Sequence, residues 1–594
     1  MNDRVFLSVF TPSRTPPEDL EAITVQRHAL IHDAVERVHE SATTGNKHHL
    51  LFVGPRGTGK THLITLLVHR LGQDRTLDDR LRIAWLNEDE TSTSLLELLR
   101  RIYDALAKRY PAEFTPEALD PLFDLSPEAA EEALAQLLLG TLQGRTLLVL
   151  VENLDALFEG LGQVGQQKLR AFIQERPVLS LVATAQRLVD DIAKRQSAFF
   201  GFFQTEHLKT LTVEEARELL QNIARLNRQD DVAAFLDGPA GRSRVRALHH
   251  LSGGNHRIYI VLSQFITRDS IQALVDPFAK MVDEMTPYYQ ERIRWLPAQQ
   301  RKIIEFLCTQ ERPVPVKQIA RRLFATPQTI SSQLKDLRDK GYVQAIQRGR
   351  ESLYEIAEPM MRLCVEVKEN QTQVPMRVLV DFLRVWYDGR TLDAQLNDGR
   401  TDRIAQAYAD YSTIIDQDGA PLTDRVDSHL ALAEIHIATG RWDEAMMSLT
   451  NGLTEGRTAS PAYAGDSTDL IGACFDAMLQ PALRRERAGR LLQVYRDADA
   501  LAPLGQALTR HLGRLHAAAE GPSPDSLETW ASAWEEAGKG LDTFRLPLRL
   551  FRTGIDFLKT GGTDRGILLN LNQEERKLLE QVFGEESASE WGEA

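Results

Sequence analysis

The stretch that most constrains this chain is Gly54-Pro55-Arg56-Gly57-Thr58-Gly59-Lys60-Thr61. The apolar run Leu50-Leu51-Phe52-Val53 leads into it, and a helical pattern opens at His62-Leu63-Ile64. Strand, Gly-x4-Gly-Lys-Thr loop and helix in that order form a phosphate cradle. Gly54, Gly57 and Gly59 let the backbone curl past Pro55 until successive N–H groups, from Arg56 through Thr58 to His62, surround one anionic centre. The helix start adds its positive end. Lys60 is placed to reach the β and γ phosphates, and Thr61 to offer its hydroxyl to Mg²⁺. The expected ligands are therefore ATP or ADP with Mg²⁺.

Such a loop needs an acidic strand end to help hold the metal. Leu147-Leu148-Val149-Leu150-Val151 reads as a buried parallel strand, and Glu152-Asn153-Leu154-Asp155 follows at its C-terminal end, where doubly wound sheets place their ligands. Glu152 is expected on Mg²⁺. Asn153 cannot act as a base at neutral pH, so Asp155 either polarises the attacking water or caps the following helix. In the second case hydrolysis is slow and the site works as a switch. Further strands are expected at 82–87, at 178–184 and at 203–208. The second of these ends in Thr184, within reach of a γ-phosphate. Strands alternating with helical stretches predict a three-layer α/β domain with a mainly parallel sheet.

At 594 residues the chain has room for about four domains. With 43% hydrophobic and 26% charged residues it is too apolar for general disorder. The longest aliphatic run, 147–151, falls far short of the roughly 18 residues of a membrane span. The apolar run 5–10 leads to no cleavage site, so no secretory leader is expected. Three widely spaced cysteines, Cys308, Cys364 and Cys474, exclude a disulfide scaffold and suit a reducing cytoplasm. His48-His49 and His249-His250 lack the i, i+4 spacing of helix-borne zinc ligands. The net charge of −14 means that any nucleic-acid contact comes from a local basic face.

That face is found past the middle of the chain. A helical stripe over Ile303, Ile304, Phe306 and Leu307 is followed by a second helix at 316–324. Thr326-Pro327 is a strong start signal for a third at 327–340, which points Ile330, Leu334 and Leu337 inward. Gln328, Ser332, Lys335 and Arg338 remain for the outer side. Gly341 ends the helix, and 342–356 reads as a β-ribbon carrying Arg348 and Arg350 at its tip. Residues 311–350 hold nine Lys or Arg against three acids, net +6. This winged helix-turn-helix plan suits double-stranded DNA, with the helix in the major groove and the ribbon arginines on phosphate or minor groove. A purely protein-contacting winged helix is the alternative.

From 376 onward the pattern is predominantly helical. The segment 428–449, with a helix-ending glycine before Trp442 and Ala445, resembles one tetratricopeptide repeat. Stretches 484–500 and 527–538 are helical without the full pattern. An array of this kind offers a groove for a protein partner, while a plain bundle would only buttress the rest. The acid- and serine-rich residues 585–594 read as a disordered tail.

The order of Val25-Gln26-Arg27, the phosphate loop, the acidic strand, the Thr184 strand, Leu211-Thr212-Val213-Glu214-Glu215-Ala216 and Gly253-Gly254-Asn255-His256-Arg257 resembles AAA+ ATPases of the origin-recognition initiator type and the neighbouring archaeal-type and STAND ATPases. The resemblance implies that Arg27 lies near the adenine and that Thr184 is a first sensor. It makes Arg257 in the lid a second sensor; Arg195 lies near where an arginine completing a neighbour's site in a homo-oligomer would fall, with a solvent-facing Lys194-Arg195 pair as the alternative. Proline is usual where His256 stands, and the Glu152-Asn153 pair is a larger departure. The expected architecture is an AAA+ core over 1–210, a helical lid over 211–285, a winged helix over 286–358 and an all-α repeat-like region over 359–584. Two functions fit. One is a DNA-binding ATPase in phage defence or in mobile-element or DNA maintenance. The other is a STAND-like signalling switch in which the C-terminal helices sense a protein ligand.

Overall fold

The computed structural model describes residues 14–86, 92–186, 192, 194–310, 312–348, 351–370, 379–380, 383, 411, 414–415, 422–438, 441–459, 467–478, 484–518 and 521–584. The tail at 585–594 and the ribbon residue Arg350 lie outside them. Two compact units emerge: residues 1–233 with 254–263, and residues 234–253 with 264–594.

In the first unit five parallel strands form one sheet in the order β2-β3-β4-β1-β5. They are β1 (Leu50–Val53), β2 (Leu81–Leu86), β3 (Thr146–Val151), β4 (Leu179–Ala185) and β5 (Gln204–His207). Every residue of β1, β3 and β4 is buried, which is why these segments are near-continuous aliphatic runs. Successive side chains alternate between faces. Leu51, Val53, Val149 and Val151 join a core with the helices Leu95–Arg109, Pro127–Leu142 and Leu154–Glu175. Their neighbours Leu50, Phe52, Leu148 and Leu150 are as deeply buried on the other face, so both sides of the sheet are covered. Phe199 belongs to the first of these cores, with Phe202 and Phe203 packed against it. That aromatic cluster is core packing.

The topology brings the C-terminal ends of β1, β3 and β4 to one edge of the sheet. Phe52 pairs with Thr184, and Val151 with Ala183. Two further helices of this unit, Val213–Leu226 and His256–Ser263, follow from local sequence. The first starts with a reciprocal capping box between Thr212 and Glu215, which satisfies two N–H groups at once.

In the second unit the helices Ala298–Cys308, Val316–Arg322 and Pro327–Asp339 are followed by an antiparallel sheet in the order β6-β8-β7. Its strands are β6 (Val314–Pro315), β7 (Val343–Arg348) and β8 (Glu351–Ile356). Ile330, Leu334 and Leu337 are fully buried, and Thr326 caps their helix by accepting from the Thr329 N–H. The second helix ends at Arg322, two residues before the expected Phe324.

The rest of this unit is mostly helical, from Leu422–Ala438 and Trp442–Ala459 to Gln573–Val582. The last helix is a hub of buried charge. Glu574 and Glu575 are each 2% exposed. Arg362 donates to Glu574 at 2.9 Å, Arg549 to Glu575, and Arg576 to Glu355 of β8 at 2.7 Å. His250 meets the Glu574 carbonyl at 2.8 Å. Nearby, Ile346 and Leu353 of the ribbon form an apolar cluster with Leu569. The ribbon is thus seated on C-terminal helices more than two hundred residues away in sequence. Among the described residues no helix is long and apolar enough to cross a membrane.

Candidate functional site

A cleft at the strand-end edge of the first unit is lined by Gly57, Gly59, Lys60, Thr61, Glu152, Thr184 and Arg257, with Arg27 and His62 beside them. Local conformation explains why the loop is built this way. Gly57 has φ +81°, and a Cβ there would sit 2.3 Å from Asn255 Oδ1. Gly59 has φ +79°, and a Cβ there would sit 3.1 Å from an Arg27 nitrogen. Both positions require glycine for backbone conformation and for space.

Lys60 Nζ donates to the carbonyls of Gly54 at 2.7 Å and Pro55 at 2.9 Å. Burial lowers its pKa to about 8, against the pull of Asp155. A half-buried ammonium beside an amide-lined loop is a natural partner for an anion. The Thr61 hydroxyl donates to Glu152, and the Trp85 indole N–H donates to the other Glu152 oxygen at 2.9 Å. A hydroxyl and a carboxylate at one point, beside an amide-lined loop, are the oxygen donors a phosphate-bound Mg²⁺ takes from protein. Asp155 Oδ1 is buried without a hydrogen-bond partner, and so can accept a proton or a water hydrogen. Asn153, not Asp155, occupies the cap position of the helix Leu154–Glu175, with φ +57° and no side-chain capping bond. These residues fit a nucleotide with its metal.

The remaining expected residues divide. Thr184, 1% exposed, and Arg257 both line the cleft. Arg27 is buried, donates to the Lys209 carbonyl at 3.2 Å, and is lowered to about 10 by desolvation. Arg195 is on an exposed turn outside the cleft lining.

Three contributors, Trp85, Asn255 and Thr24, were not expected from the sequence. Trp85 orients Glu152. Asn255 donates to the Arg56 carbonyl at 3.1 Å and accepts from the Arg257 N–H at 3.0 Å, tying the helix His256–Ser263 to the loop. Thr24 and His62 meet at 3.1 Å, and His62 also meets the Leu20 carbonyl at 3.1 Å. Burial pushes His62 down to about 4 and His256 well below its ordinary value, so both are neutral at physiological pH. Only Asn255 carried a signal, its place in the Gly-Asn-x-Arg run.

In the second unit Gln328, Ser332, Lys335 and Arg338 are all exposed on the helix Pro327–Asp339. Arg348 is exposed at the end of β7, and its guanidinium lies close to Gly566 of the C-terminal region.

Comparisons with known proteins match these parts. Residues 296–344 match the winged helix-turn-helix DNA-binding family. In structure the chain is similar to the Orc1 protein of Aeropyrum pernix, solved in complex with DNA, at 17% identity over 60% of this chain and 96% of that one, TM-score 0.39. It is similar to the Walker-type ATPase PABY2304 of Pyrococcus abyssi at 14% identity over 58% and 96%, TM-score 0.39. It is likewise similar to Cdc6p from Pyrobaculum aerophilum at 16% identity over 64% and 98%, TM-score 0.31. No curated protein matches the sequence.

Proposed function

We propose that this chain binds and hydrolyses ATP, and that its nucleotide state controls self-assembly and a hold on double-stranded DNA through the winged helix. The observation that carries the reading is the convergence of Lys60, the Thr61–Glu152 pair and Arg257 on one cleft. In this reading Thr61 and Glu152 hold Mg²⁺, which would neutralise charge on the β and γ phosphates. Lys60 and the loop amides grip the phosphates, Arg27 lies on the base side, and Thr184 and Arg257 sense the terminal phosphate. Arg195 completes a neighbour's site, and the tetratricopeptide-like helices engage a protein partner. The three widely spaced cysteines suit a cytoplasmic setting, and the sequence resemblance supports a role in phage defence or in the maintenance of DNA or mobile elements.

DNA engagement has a direct test. Each lost phosphate contact flattens the dependence of log affinity on log salt by roughly 0.9. The Lys335→Ala/Arg338→Ala variant should therefore bind duplex DNA more weakly, with a slope shallower by about 1 to 2. Equal affinity and slope in wild type and variant would remove these two residues from the interface.

A second reading, the STAND-like switch with slow turnover, is favoured by one observation. Glu152 already accepts from Thr61 and Trp85, and Asn153 is no base, which leaves Asp155 as the acid able to orient water. If Asp155 does so, Asp155→Asn should cut turnover about a hundredfold and leave nucleotide affinity intact. Steady-state hydrolysis that is slow in the wild type and unchanged in the variant would support the switch.

A further inference from the structure

Between the second and third helices of the winged domain the backbone does something costly at Phe324. The helix Val316–Arg322 closes with the Ala325 N–H donating to the Ala320 carbonyl at 3.0 Å, and the residue inside that closure, Phe324, has φ +52°. This is the helix-ending position where glycine is the usual occupant, because a Cβ is crowded there. The fold itself makes that choice one helix later. Tyr342 N–H donates to the Leu337 carbonyl at 2.9 Å, and Gly341, φ +75°, fills the same place. A bulky ring in the left-handed region is strained, and this one gains nothing from burial. Phe324 is 100% exposed. An unrepaid outlier of this kind points to a function outside the folded chain.

Its surroundings indicate what meets it. Arg321 and Arg322 precede it, Thr326 and Gln328 follow, and Lys317, Lys335 and Arg338 are carried by the two flanking helices. All seven are exposed. An anchor for a protein groove is ringed by other apolar side chains. An aromatic ring among cations is instead the composition of surfaces that grip a phosphate backbone and stack on bases. The turn before a recognition helix also approaches the DNA backbone when that helix enters a groove.

We propose that Phe324 is a DNA-contacting wedge: its left-handed cap holds the ring out so that it stacks on a base where the duplex is locally unstacked. This rests on the DNA-binding reading and extends it to a preference for distorted over fully paired duplex.

Phe324→Gly separates the ring from the fold, because glycine suits the backbone at this position and should leave thermal stability equal or raised. Phe324→Trp keeps an aromatic ring there. Affinities of the full-length protein are measured by fluorescence anisotropy at two salt concentrations, for a paired duplex and for the same duplex with a small central bubble. The wild type should prefer the bubble. Phe324→Gly should lose about tenfold on the bubble duplex without a change in salt slope, since the ring carries no charge, and Phe324→Trp should retain the preference. Wild-type affinity for both duplexes in Phe324→Gly overturns the inference and leaves the DNA reading standing. So does a Phe324→Gly defect confined to capture of a protein. A wild type that binds neither duplex overturns both.

Discussion

Alanine in place of Lys60 should lower affinity for ATP by about a hundredfold or more. A hydrogen bond to a charged group is worth about 1.5–3 kcal/mol, and the ammonium is positioned to serve two phosphates. The same lysine predicts a pH dependence. In the free protein burial sets its pKa at about 8, and bound phosphate would raise it again. The ammonium form binds the anion, so affinity is steady below pH 8 and declines as pH rises above it, with a proton taken up on binding in that range. Isothermal titration calorimetry in buffers of different ionisation enthalpy reads both effects. The Lys60→Ala protein should show neither the uptake nor the decline. Undiminished ATP affinity in that variant would falsify the assignment of the loop.

Arg362→Ala should destabilise the second unit by about 3–5 kcal/mol, the usual result of leaving a buried charge without its partner. Glu574 is that charge. Burial pushes its carboxyl up, yet Arg362 and the hydrogen bonds around it bring the net shift below the ordinary carboxylate value. A depressed carboxylate stabilises the fold above its unfolded pKa, and this contribution disappears as pH falls through the folded one. Glu575 beside it is shifted upward by burial, which works in the opposite sense. The two titrations partly cancel, so substitution reads the network more cleanly than acid does. In urea melts of the full chain, Arg362→Leu/Glu574→Gln should recover most of what the single change loses. An unaltered midpoint for Arg362→Ala would mean that the buried carboxylate finds another counter-charge.

The glycine-rich loop and its sheet were legible because their signals are local. Glycines at 57 and 59, a lysine and a hydroxyl at the helix start, and aliphatic runs long enough for buried strands all lie within a few residues. Asp155 was half legible. Its chemistry could be read, but that Asn153 holds the cap position depends on the backbone turning left-handed at 153. Trp85 was not legible, since only the pairing of β2 with β3 brings its indole to Glu152. The apolar pattern of Ile319, Ala320 and Leu323 carries the expected helix on to Phe324, two residues past its observed end at Arg322. The chain closes its cap first. The adjacent pairing of His249 and His250 lacks the spacing of zinc ligands, and the hydrogen bond from His250 to Glu574 depends on a contact across 324 positions that no periodicity encodes.

The seat of the ribbon on Leu569 and Arg576 bears on how this protein can be cut into pieces. A fragment ending after β8 would keep every residue of the winged fold, yet strip the cover from Ile346 and Leu353 and take the counter-ion from Glu355. Such a fragment would present a greasy ribbon face to its own copies. The smallest faithful dissection of the winged module therefore carries the distant end of the chain with it.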